Sequence, residues 1–282
     1  SNKISGTIAI MIESRHTDIH GYDVHYWEGG KGFPVLMLHG VGPGTSIMGN
    51  FEPAIAPLTD RYHLFASDLI GFGGSGRKSD MPLFDIDLWL RQGVALLDLL
   101  PDGPCGIAGH SMGGALSMKI AATSDRVTHV LTSSTVGTSY PLTPALDAFW
   151  SLPADRDELR AAMADMFADP AAVSDAMIEG RWDFLAQDGY AEYFGNMFAP
   201  PRQQYIDAGK VSDAEFDALN ARGVQISMIH GTEDKPCPAE QTTVELARRL
   251  PNAKVTLIEN CGHNLPRENT REYLAAAFDL FG

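Results

Sequence analysis

Residues 109–113, with the sequence GHSMG, carry the clearest chemical signal in the chain. They have the form G-x-S-x-G, follow a short apolar segment at 105–108 and precede a run of small residues at 114–118. A serine at a sharp turn from strand to helix presents its hydroxyl at the end of a parallel sheet. Glycines on both sides are needed because side chains there would collide with the neighbouring strand and helix. The pattern predicts that Ser111 is a nucleophile; an ordinary glycine-rich loop is the alternative.

A serine nucleophile needs a base that accepts its proton and a third group that orients the base. Asp234 and His263 come after Ser111 in this order, and each of the three follows a predicted strand. The carboxyl ends of parallel strands meet at one edge of a sheet, where ligands bind in open α/β folds. We therefore predict a catalytic triad of these three residues, in the order found in α/β-hydrolases, with Glu233 as the alternative acid.

Attack by serine on a carbonyl carbon creates an oxyanion, which two backbone N–H groups have to stabilise. Met112 directly follows the nucleophile at a helix start, and Val41 follows His39 and Gly40 after a buried strand. These two residues are the predicted donors of the oxyanion hole. The loss of one such donor typically lowers the rate by roughly two to three powers of ten.

The alternation of strands and helices from residue 34 onward predicts an α/β fold, namely the α/β-hydrolase fold with a mostly parallel eight-stranded sheet and helices on both faces. The pattern predicts an antiparallel hairpin of residues 4–13 and 21–27, joined through 16–18, at the start of the chain. The other predicted strands are 34–38, 62–68, 105–108, 127–133, 224–230 and 254–259, and the main predicted helices are 51–58, 85–100, 239–250 and 268–281.

Residues 137–222 differ in character from the rest of the chain, because they are rich in helical signals, methionine and aromatic residues. A stretch of this length without strands, between two strands of a sheet, predicts an inserted helical cap. The α/β-hydrolase core would then consist of residues 1–136 and 223–282. Caps of this kind cover active sites and exclude water, although we expect most of these apolar side chains to form the cap's own core.

Composition limits the classes of partner. The chain has 282 residues and a net charge of −15, from 21 basic and 36 acidic residues, which argues against nucleic acid and anionic membranes as partners. It does not exclude an anionic small molecule bound by a buried arginine. No run approaches the ~18 apolar residues of a membrane span, and the apolar segment 8–12 is too short for a signal peptide, so we expect a cytoplasmic protein.

Cys105, Cys237 and Cys261 are odd in number and widely spaced, and no CxxC pair is present. This arrangement indicates neither a zinc site nor a disulfide framework, and we expect three reduced, buried thiols. Because no cluster has the spacing of metal ligands, a metal hydrolase is disfavoured, and the sequence predicts neither a metal nor another cofactor.

Residues 39–44 (HGVGPG), followed by Asn50 and Phe51, resemble the HGxGPG…N segment of the meta-cleavage product hydrolases, which hydrolyse C–C bonds in bacterial aromatic degradation. Residues 177–182 (MIEGRW) resemble the cap-helix segment of that family, and residues 71–73 and the triad spacing also fit. The resemblance implies that Asn50 and Arg181, beside Gly42, bind the carboxylate and 2-oxo end of a 2-hydroxy-6-oxodienoate. Arginine suits this role because its planar fork can hold a carboxylate bidentately.

The chain differs from this family at two positions that we expect to line the polar half of the site. His110 stands where the family commonly has asparagine, and Asn264 stands where it commonly has tryptophan. The resemblance further implies that His263 helps to tautomerise the dienol and then activates Ser111 or a water, and that the protein is a homodimer. The methionines and aromatics of the cap indicate an apolar pocket for the distal end of the substrate.

The sequence therefore leaves three classes of function open. The leading hypothesis is a serine-dependent hydrolase that cleaves a C–C bond in a ring-fission product of aromatic degradation. The second is a carboxylesterase or lactonase with the same triad, and the third is a noncatalytic ligand receptor, against which the intact triad counts. Arg181 also has an alternative interpretation as a solvated arginine paired with Glu179 or Asp183.

Overall fold

Short apolar runs form the central strands of one eight-stranded sheet in the computed structural model, which describes Gly6 and residues 11–282. The strands lie side by side in the order β1-β2-β4-β3-β5-β6-β7-β8. β1 pairs with β2 and β2 with β4 in antiparallel fashion, and all other pairs are parallel, so the predicted sheet is confirmed. The strands are β1 (Ile12–Ile19), β2 (Tyr22–Gly29), β3 (Phe33–Leu38), β4 (Tyr62–Ser67), β5 (Cys105–His110), β6 (Val127–Ser133), β7 (Gln225–Gly231) and β8 (Lys254–Ile258).

Both faces of the sheet are buried, which explains why the central strand β3 is apolar at every position. In β3, Leu36 and Leu38 belong to the hydrophobic core on one face, whereas Val35 and Met37 belong to the core on the other. Each such side chain contributes about 1.5–3 kcal/mol by leaving water. An alternating pattern would leave one face of the sheet exposed, so a continuous apolar run favours a sheet covered on both sides.

Helices connect the strands, and half of them begin at side-chain caps. The first helix, for example, begins after Ser46, whose Oγ accepts a hydrogen bond from the Gly49 N–H at 3.0 Å, and it therefore starts earlier than the sequence pattern predicts. The helices are α1 (Ile47–Thr59), α2 (Ile86–Leu97), α3 (Met112–Thr123), α4 (Pro144–Trp150), α5 (Arg156–Ala164), α6 (Asp175–Leu185), α7 (Tyr190–Met197), α8 (Gln203–Ala208), α9 (Asp213–Ala221), α10 (Thr243–Arg249), α11 (Leu265–Glu268) and α12 (Thr270–Phe281), with short 3₁₀ turns at Pro170–Ala172 and Ala239–Gln241.

The hairpin at the start of the chain is the main error of the sequence prediction. Residues 16–18, which were expected to form the turn, lie inside β1, and the turn is made by His20 and Gly21, both with positive φ. β1 is an edge strand whose central residues are mostly exposed and polar, so it lacks the apolar alternation that marks a strand. Of the predicted strand 4–13, residues 4, 5 and 7–10 lie outside the described residues.

Helices α4 to α9 form one continuous insertion between β6 and β7. Within residues 134–224, all of which the structure describes, no residue is in a strand. Its aromatic residues pack together and onto the loop before α2: the ring centroids of Trp150 and Phe198 are 5.2 Å apart, and those of Tyr205 and Phe84 are 4.7 Å apart. Among the helices of the described residues, none combines the length and hydropathy needed to cross a bilayer.

Candidate active site

Ser111 occupies the turn between β5 and α3 with φ of 54° and ψ of −119°. A positive φ is unfavourable for a residue with a side chain, and such strain persists only where surrounding bonds impose it. Here the Ser111 N–H donates to the Ser133 carbonyl at 2.9 Å, and its carbonyl accepts from the N–H of Val136 at 3.3 Å and of Gly114 at 2.9 Å. The strand ladder and the helix start therefore hold the serine in its strained conformation.

The glycines around Ser111 are required by close backbone contacts. A Cβ atom on Gly109 would lie 2.1 Å from the carbonyl oxygen of Gly113, and one on Gly113 would lie 2.3 Å from the carbonyl oxygen of Leu38. Gly40 approaches the serine from the other side, because a Cβ there would lie 2.9 Å from the Ser111 Cβ. These contacts explain the glycines on both sides of Ser111 and are those expected of a nucleophile turn.

The strained backbone at Ser111 should affect the stability of variants at this position. Glycine adopts positive φ without a steric cost, so Ser111→Gly should have a free energy of unfolding about 1 kcal/mol higher than Ser111→Ala, measured by urea denaturation. Ser117, within α3, is the matched control, since alanine there should be more stable than glycine by about 1 kcal/mol. If the alanine variant were the more stable one at both positions, Ser111 would not be strained.

His263 and Asp234 form a buried hydrogen-bonded pair. His263 Nδ1 lies 2.8 Å from Asp234 Oδ2, and Asp234 also accepts a hydrogen bond from the Cys237 N–H at 2.8 Å and lies 3.0 Å from His230 Nε2. The Cys237 thiol completes this group, since its sulfur and one ligand atom each of Asp234 and His263 lie within 4.8 Å of one another. Asp234 is therefore fixed on several sides and holds the His263 ring through Nδ1.

The charges of this pair shift its pKa values in opposite directions. Burial alone would lower the pKa of His263, but the Asp234 carboxylate raises it well above its ordinary value of 6.5. Burial alone would raise the pKa of Asp234, but His263 and His230 hold it well below its ordinary value. Glu233, the alternative acid, is exposed to solvent. The buried Asp234 carboxylate therefore favours the protonated form of His263.

A small cavity brings most of the predicted site residues together. Its volume is about 10 Å³, roughly the space of one water molecule. Three predicted site residues, Asp234, Met112 and Gly42, are not among the described residues that line the cavity. Asp234 pairs with His263, which does line it, and Met112 directly follows Ser111 at the start of α3. The lining residues are Gly40, Val41, Thr45, Asn50, His110, Ser111, Leu146, Phe149, Arg181, His263 and Asn264.

The loop that carries Val41 is fixed from both sides. Asn50 Oδ1 accepts a hydrogen bond from the Gly40 N–H at 2.9 Å, and Trp150 Nε1 of the insertion donates to the Val41 carbonyl at 3.0 Å. Within the part of the chain that the structure describes, neither Val41 N–H nor Met112 N–H donates to a protein acceptor. Both groups can therefore donate to an oxyanion beside Ser111.

Gly42 has a packing role at the edge of this loop. A Cβ atom there would lie 2.2 Å from the Phe149 ring, so glycine allows the insertion to approach the loop. Phe149 itself lines the cavity, as does Leu146 from the same helix, α4. The resemblance to the family placed Gly42 beside the substrate, whereas the geometry places it behind a ring that lines the cavity.

Arg181 reaches the cavity from α6 and is buried, with 5% of its surface exposed. Its guanidinium donates to the Pro43 carbonyl at 2.9 Å and to Thr45 Oγ1 at 3.0 Å. Gly44 permits this approach, since a Cβ there would lie 2.1 Å from the Arg181 carbonyl oxygen. Burial, and then the nearby positive charge of Arg267, lower the pKa of Arg181 to about 9, which still leaves it charged at neutral pH.

No carboxylate among the described residues lies within ion-pairing distance of Arg181. Glu179, the partner considered from the sequence, pairs instead with the exposed Arg156 at 2.6 Å. A buried guanidinium with only neutral acceptors has a strong electrostatic preference for an anion. The interpretation of Arg181 as a solvated surface arginine is therefore wrong, and the residue can bind a carboxylate in the cavity.

His110 and Asn264 line the same cavity. His110 Nδ1 lies 2.9 Å from Ser133 Oγ, and its ring centroid lies 5.1 Å from that of His263. Burial, and then the positive charge of His263, lower the pKa of His110 well below its ordinary value, so His110 is neutral. Because a neutral imidazole can donate or accept through its second nitrogen, His110 adds polar character without charge.

Contacts between the insertion and the His263 loop could not be found from the sequence. The Met166 carbonyl, in the turn after α5, accepts hydrogen bonds from the N–H of His263 at 2.8 Å and of Asn264 at 3.0 Å. Glu268 accepts from the N–H of Ala168 at 2.7 Å and of Gly262 at 3.0 Å. A backbone carbonyl leaves no sequence signal, whereas an acidic residue five positions after His263 could have been noticed.

The fold is that of an α/β hydrolase, with Ser111 and His263 on one cavity, and comparison with known proteins narrows this class. A profile of the α/β hydrolase family matches residues 35–277. The 2-hydroxymuconate semialdehyde hydrolase of Pseudomonas sp. (strain CF600) is 31% identical over 92% of this chain and 90% of that protein. The 2-hydroxy-6-oxo-2,4-heptadienoate hydrolase of Pseudomonas putida is 30% identical over 92% of this chain and 93% of that protein.

A solved structure agrees with these relatives. The meta-cleavage product hydrolase of Pseudomonas fluorescens IP01, crystallised as a serine-to-alanine variant with acetates, superposes with a TM-score of 0.84 at 27% identity, over 94% of this chain and 97% of that one. The chain therefore belongs to the α/β hydrolase family, and within it to the meta-cleavage product hydrolases. The predicted fold, family and enzyme class are thereby confirmed.

Proposed function

We propose that the protein hydrolyses a C–C bond in a 2-hydroxy-6-oxo-dienoate formed by ring fission of an aromatic compound. The observation that carries this proposal is a buried Arg181 without a carboxylate partner, in the same cavity as Ser111 and His263. The relatives' substrates have an acid at one end, and acetates are bound in the similar structure from Pseudomonas fluorescens. An ester hydrolase has no general need for a buried cation beside its nucleophile.

The proposed reaction begins with the substrate's carboxylate on Arg181 and Asn50. His263 takes part in converting the dienol into its keto form, which makes the bond between C5 and C6 cleavable. His263 then accepts a proton from Ser111, or from a water that Ser111 orients, as the oxygen attacks the C6 carbonyl carbon. The negative charge that develops on the C6 oxygen is stabilised by the N–H groups of Val41 and Met112.

Bond cleavage then releases two acids. As the C6 carbonyl re-forms, the electrons of the C5–C6 bond move into the dienolate, whose far end stays paired with the arginine. His263 returns its proton to the C2 oxygen of the dienolate, and the first product leaves as a 2-hydroxypentadienoate. The C6 fragment leaves as a carboxylic acid, after hydrolysis of the acyl-serine if the serine itself was the attacking group. Neither route requires a metal or another cofactor for its proton and electron balance.

The insertion fits the role of a cap, with boundaries at residues 137–222 and a core of residues 1–136 and 223–282. It supplies Leu146, Phe149 and Arg181 to the cavity, and Trp150 holds the loop of Val41. The cavity has room for about one water, so the cap excludes solvent from the reaction. The buried, apolar Phe149 and Leu146 support an apolar distal group on the substrate.

Location and assembly form part of the proposal. Three free and buried cysteines fit a reducing cytoplasm, and the resemblance to the family supports a homodimer. Nucleic acid and membranes are not expected partners of a chain with a net charge of −15. Light scattering on the eluted protein measures the assembly directly: the mass of two chains supports the dimer, and the mass of one chain contradicts it.

Stopped-flow spectroscopy with a yellow ring-fission dienoate tests the proposed reaction. Loss of the yellow colour, with formation of a pentadienoate and an acid, is the expected result. A chain that leaves the dienoate unchanged but rapidly hydrolyses nitrophenyl esters would be a carboxylesterase, and the proposal would be wrong.

Arg181→Gln should lower kcat/KM for the dienoate by about 100-fold, because the substrate's carboxylate would lose its charged partner in a buried site. The kcat/KM for a neutral nitrophenyl ester should change by less than about threefold. Arg156→Gln is the matched control, since it removes the same charge from an exposed position near α6 and should leave both activities unchanged. Equal losses of kcat/KM for the dienoate and the ester would show that Arg181 does not bind the substrate's carboxylate.

A further inference from the structure

A second cavity adjoins the cavity at Ser111. We call the cavity at Ser111 the inner cavity and its neighbour, lined by residues of α1 and α6 together with Asn264 and Arg267, the outer cavity. The outer cavity has a volume of about 110 Å³, compared with about 10 Å³ for the inner one. Arg181 and Asn264 line both, so these two side chains form the partition between them.

The residues that line the outer cavity are more exposed than those that line the inner one. Ala176 and Gly180, on α6, are exposed at its mouth, and a Cβ atom on Gly180 would meet no atom within 4 Å. In contrast, every residue that lines the inner cavity is buried except the half-buried Ser111. A dienoate is larger than the inner cavity, so part of its wall has to move, and the partition at Arg181 faces the larger cavity with the more exposed lining.

The charges of the outer cavity favour anions. Arg181 and Arg267 bring two guanidinium groups to its lining, and Glu52 brings one carboxylate, 3.4 Å from Arg267. Arg267 is fixed by donating to the backbone carbonyls of Gly49 at 2.6 Å and Met48 at 3.0 Å. A concave site with a positive balance, on a chain whose net charge is −15, concentrates anions locally.

We propose that the outer cavity is the access route to Ser111 and the first docking site for the carboxylate end of the substrate, with the Arg181 side chain as the gate. This inference rests on the proposed function for the identity of the substrate. Arg181 donates to two neutral acceptors, the Pro43 carbonyl and the Thr45 hydroxyl. A carboxylate is a stronger acceptor than either, so it draws the guanidinium off these groups and opens the partition.

A tryptophan placed at the mouth tests the route. Ala176→Trp should lower kcat/KM for the dienoate by about tenfold or more, because the indole fills the outer cavity and slows association. Ala186→Trp, which puts the same bulk on an exposed position at the end of α6 outside both cavities, should stay within about twofold of the wild type. Gly180→Trp repeats the test from a second exposed position, in case one indole turns toward solvent.

The rate at which a phosphonofluoridate labels Ser111 measures access without relying on the substrate. Labelling of Ser111 should be slower in Ala176→Trp and Gly180→Trp than in the wild type, and unchanged in Ala186→Trp. Glu52→Gln should raise kcat/KM for the dienoate by about twofold at low salt, without effect on a neutral ester, and the gain should vanish at high salt.

The outcomes separate the route from the substrate. If the wild type cleaves the dienoate and neither Ala176→Trp nor Gly180→Trp slows turnover or labelling, the outer cavity is not the route. If the wild type leaves the dienoate unchanged while both variants slow the labelling of Ser111, the route stands and the proposed substrate is wrong. An equal effect of Glu52→Gln on dienoate and ester would overturn the docking of an anion.

Discussion

Ser111→Ala should lower kcat for the dienoate by about six powers of ten, the size of loss seen when the nucleophile of a catalytic triad is removed. The alanine keeps the fold, because the backbone bonds of Ser111 do not involve its hydroxyl. The yellow colour of the dienoate should therefore persist in the stopped-flow cell, and the absorbance of the bound substrate should give its dissociation constant.

Ser134→Ala is the matched control for this prediction. Ser134 also has positive φ, directly after β6, and its buried hydroxyl is among the groups without a hydrogen-bond partner in the described part of the chain. Removal of an unpaired hydroxyl should be nearly neutral for stability and leave kcat close to that of the wild type. A loss of less than about 100-fold in Ser111→Ala would contradict the role of Ser111 in the chemical step.

Asp234→Asn should lower kcat by about four powers of ten at neutral pH. The amide has nearly the same shape as the carboxylate, but it cannot stabilise a protonated His263 and favours the wrong tautomer of the ring. The measurement is the steady-state rate at high enzyme concentration. Glu233→Gln, which removes the same charge from the exposed neighbouring residue, should keep nearly full activity, and comparable losses in the two variants would contradict the assignment of the acid.

The same variant carries a prediction about pH. His263 has to be neutral to accept a proton, and because Asp234 raises its pKa above 6.5, kcat/KM of the wild type should rise with pH around a midpoint above that value. Without the carboxylate this support for the protonated ring is lost, so the midpoint in Asp234→Asn should move to lower pH. An unchanged midpoint would mean that a group other than His263 controls the rise of kcat/KM with pH.

The parts of the fold that follow from local patterns could be predicted. The strand-to-helix turn at Ser111 needs glycine at fixed positions, and this steric requirement is visible as G-x-S-x-G. Asp234 and His263 each lie in the loop after a strand, and the topology of a parallel sheet then brings them to the same edge. Arg181 was found through a resemblance in the cap segment; nothing in its own charge distinguishes a buried arginine from a solvated one.

Features that depend on tertiary contacts could not be predicted. β1 pairs at the edge of the sheet through its backbone and needs no apolar pattern. The position of the turn after it could therefore not be predicted from its polar sequence. The packing of Phe149 on Gly42 and the closing of the cavity arise from how the insertion lies on the core. Single-sequence patterns describe each segment separately and therefore say little about contacts between segments far apart in the chain.

The bonds from the Met166–Ala168 turn to the loop of His263 have a consequence for protein engineering. Because Met166 and Glu268 tie the insertion to the catalytic loop, the two segments have to be compatible in their backbone geometry. A chimera that takes only residues 137–222 from a relative would risk displacing the histidine from the serine. A graft intended to change substrate preference should therefore transfer the turn after α5 and residues 262–268 together.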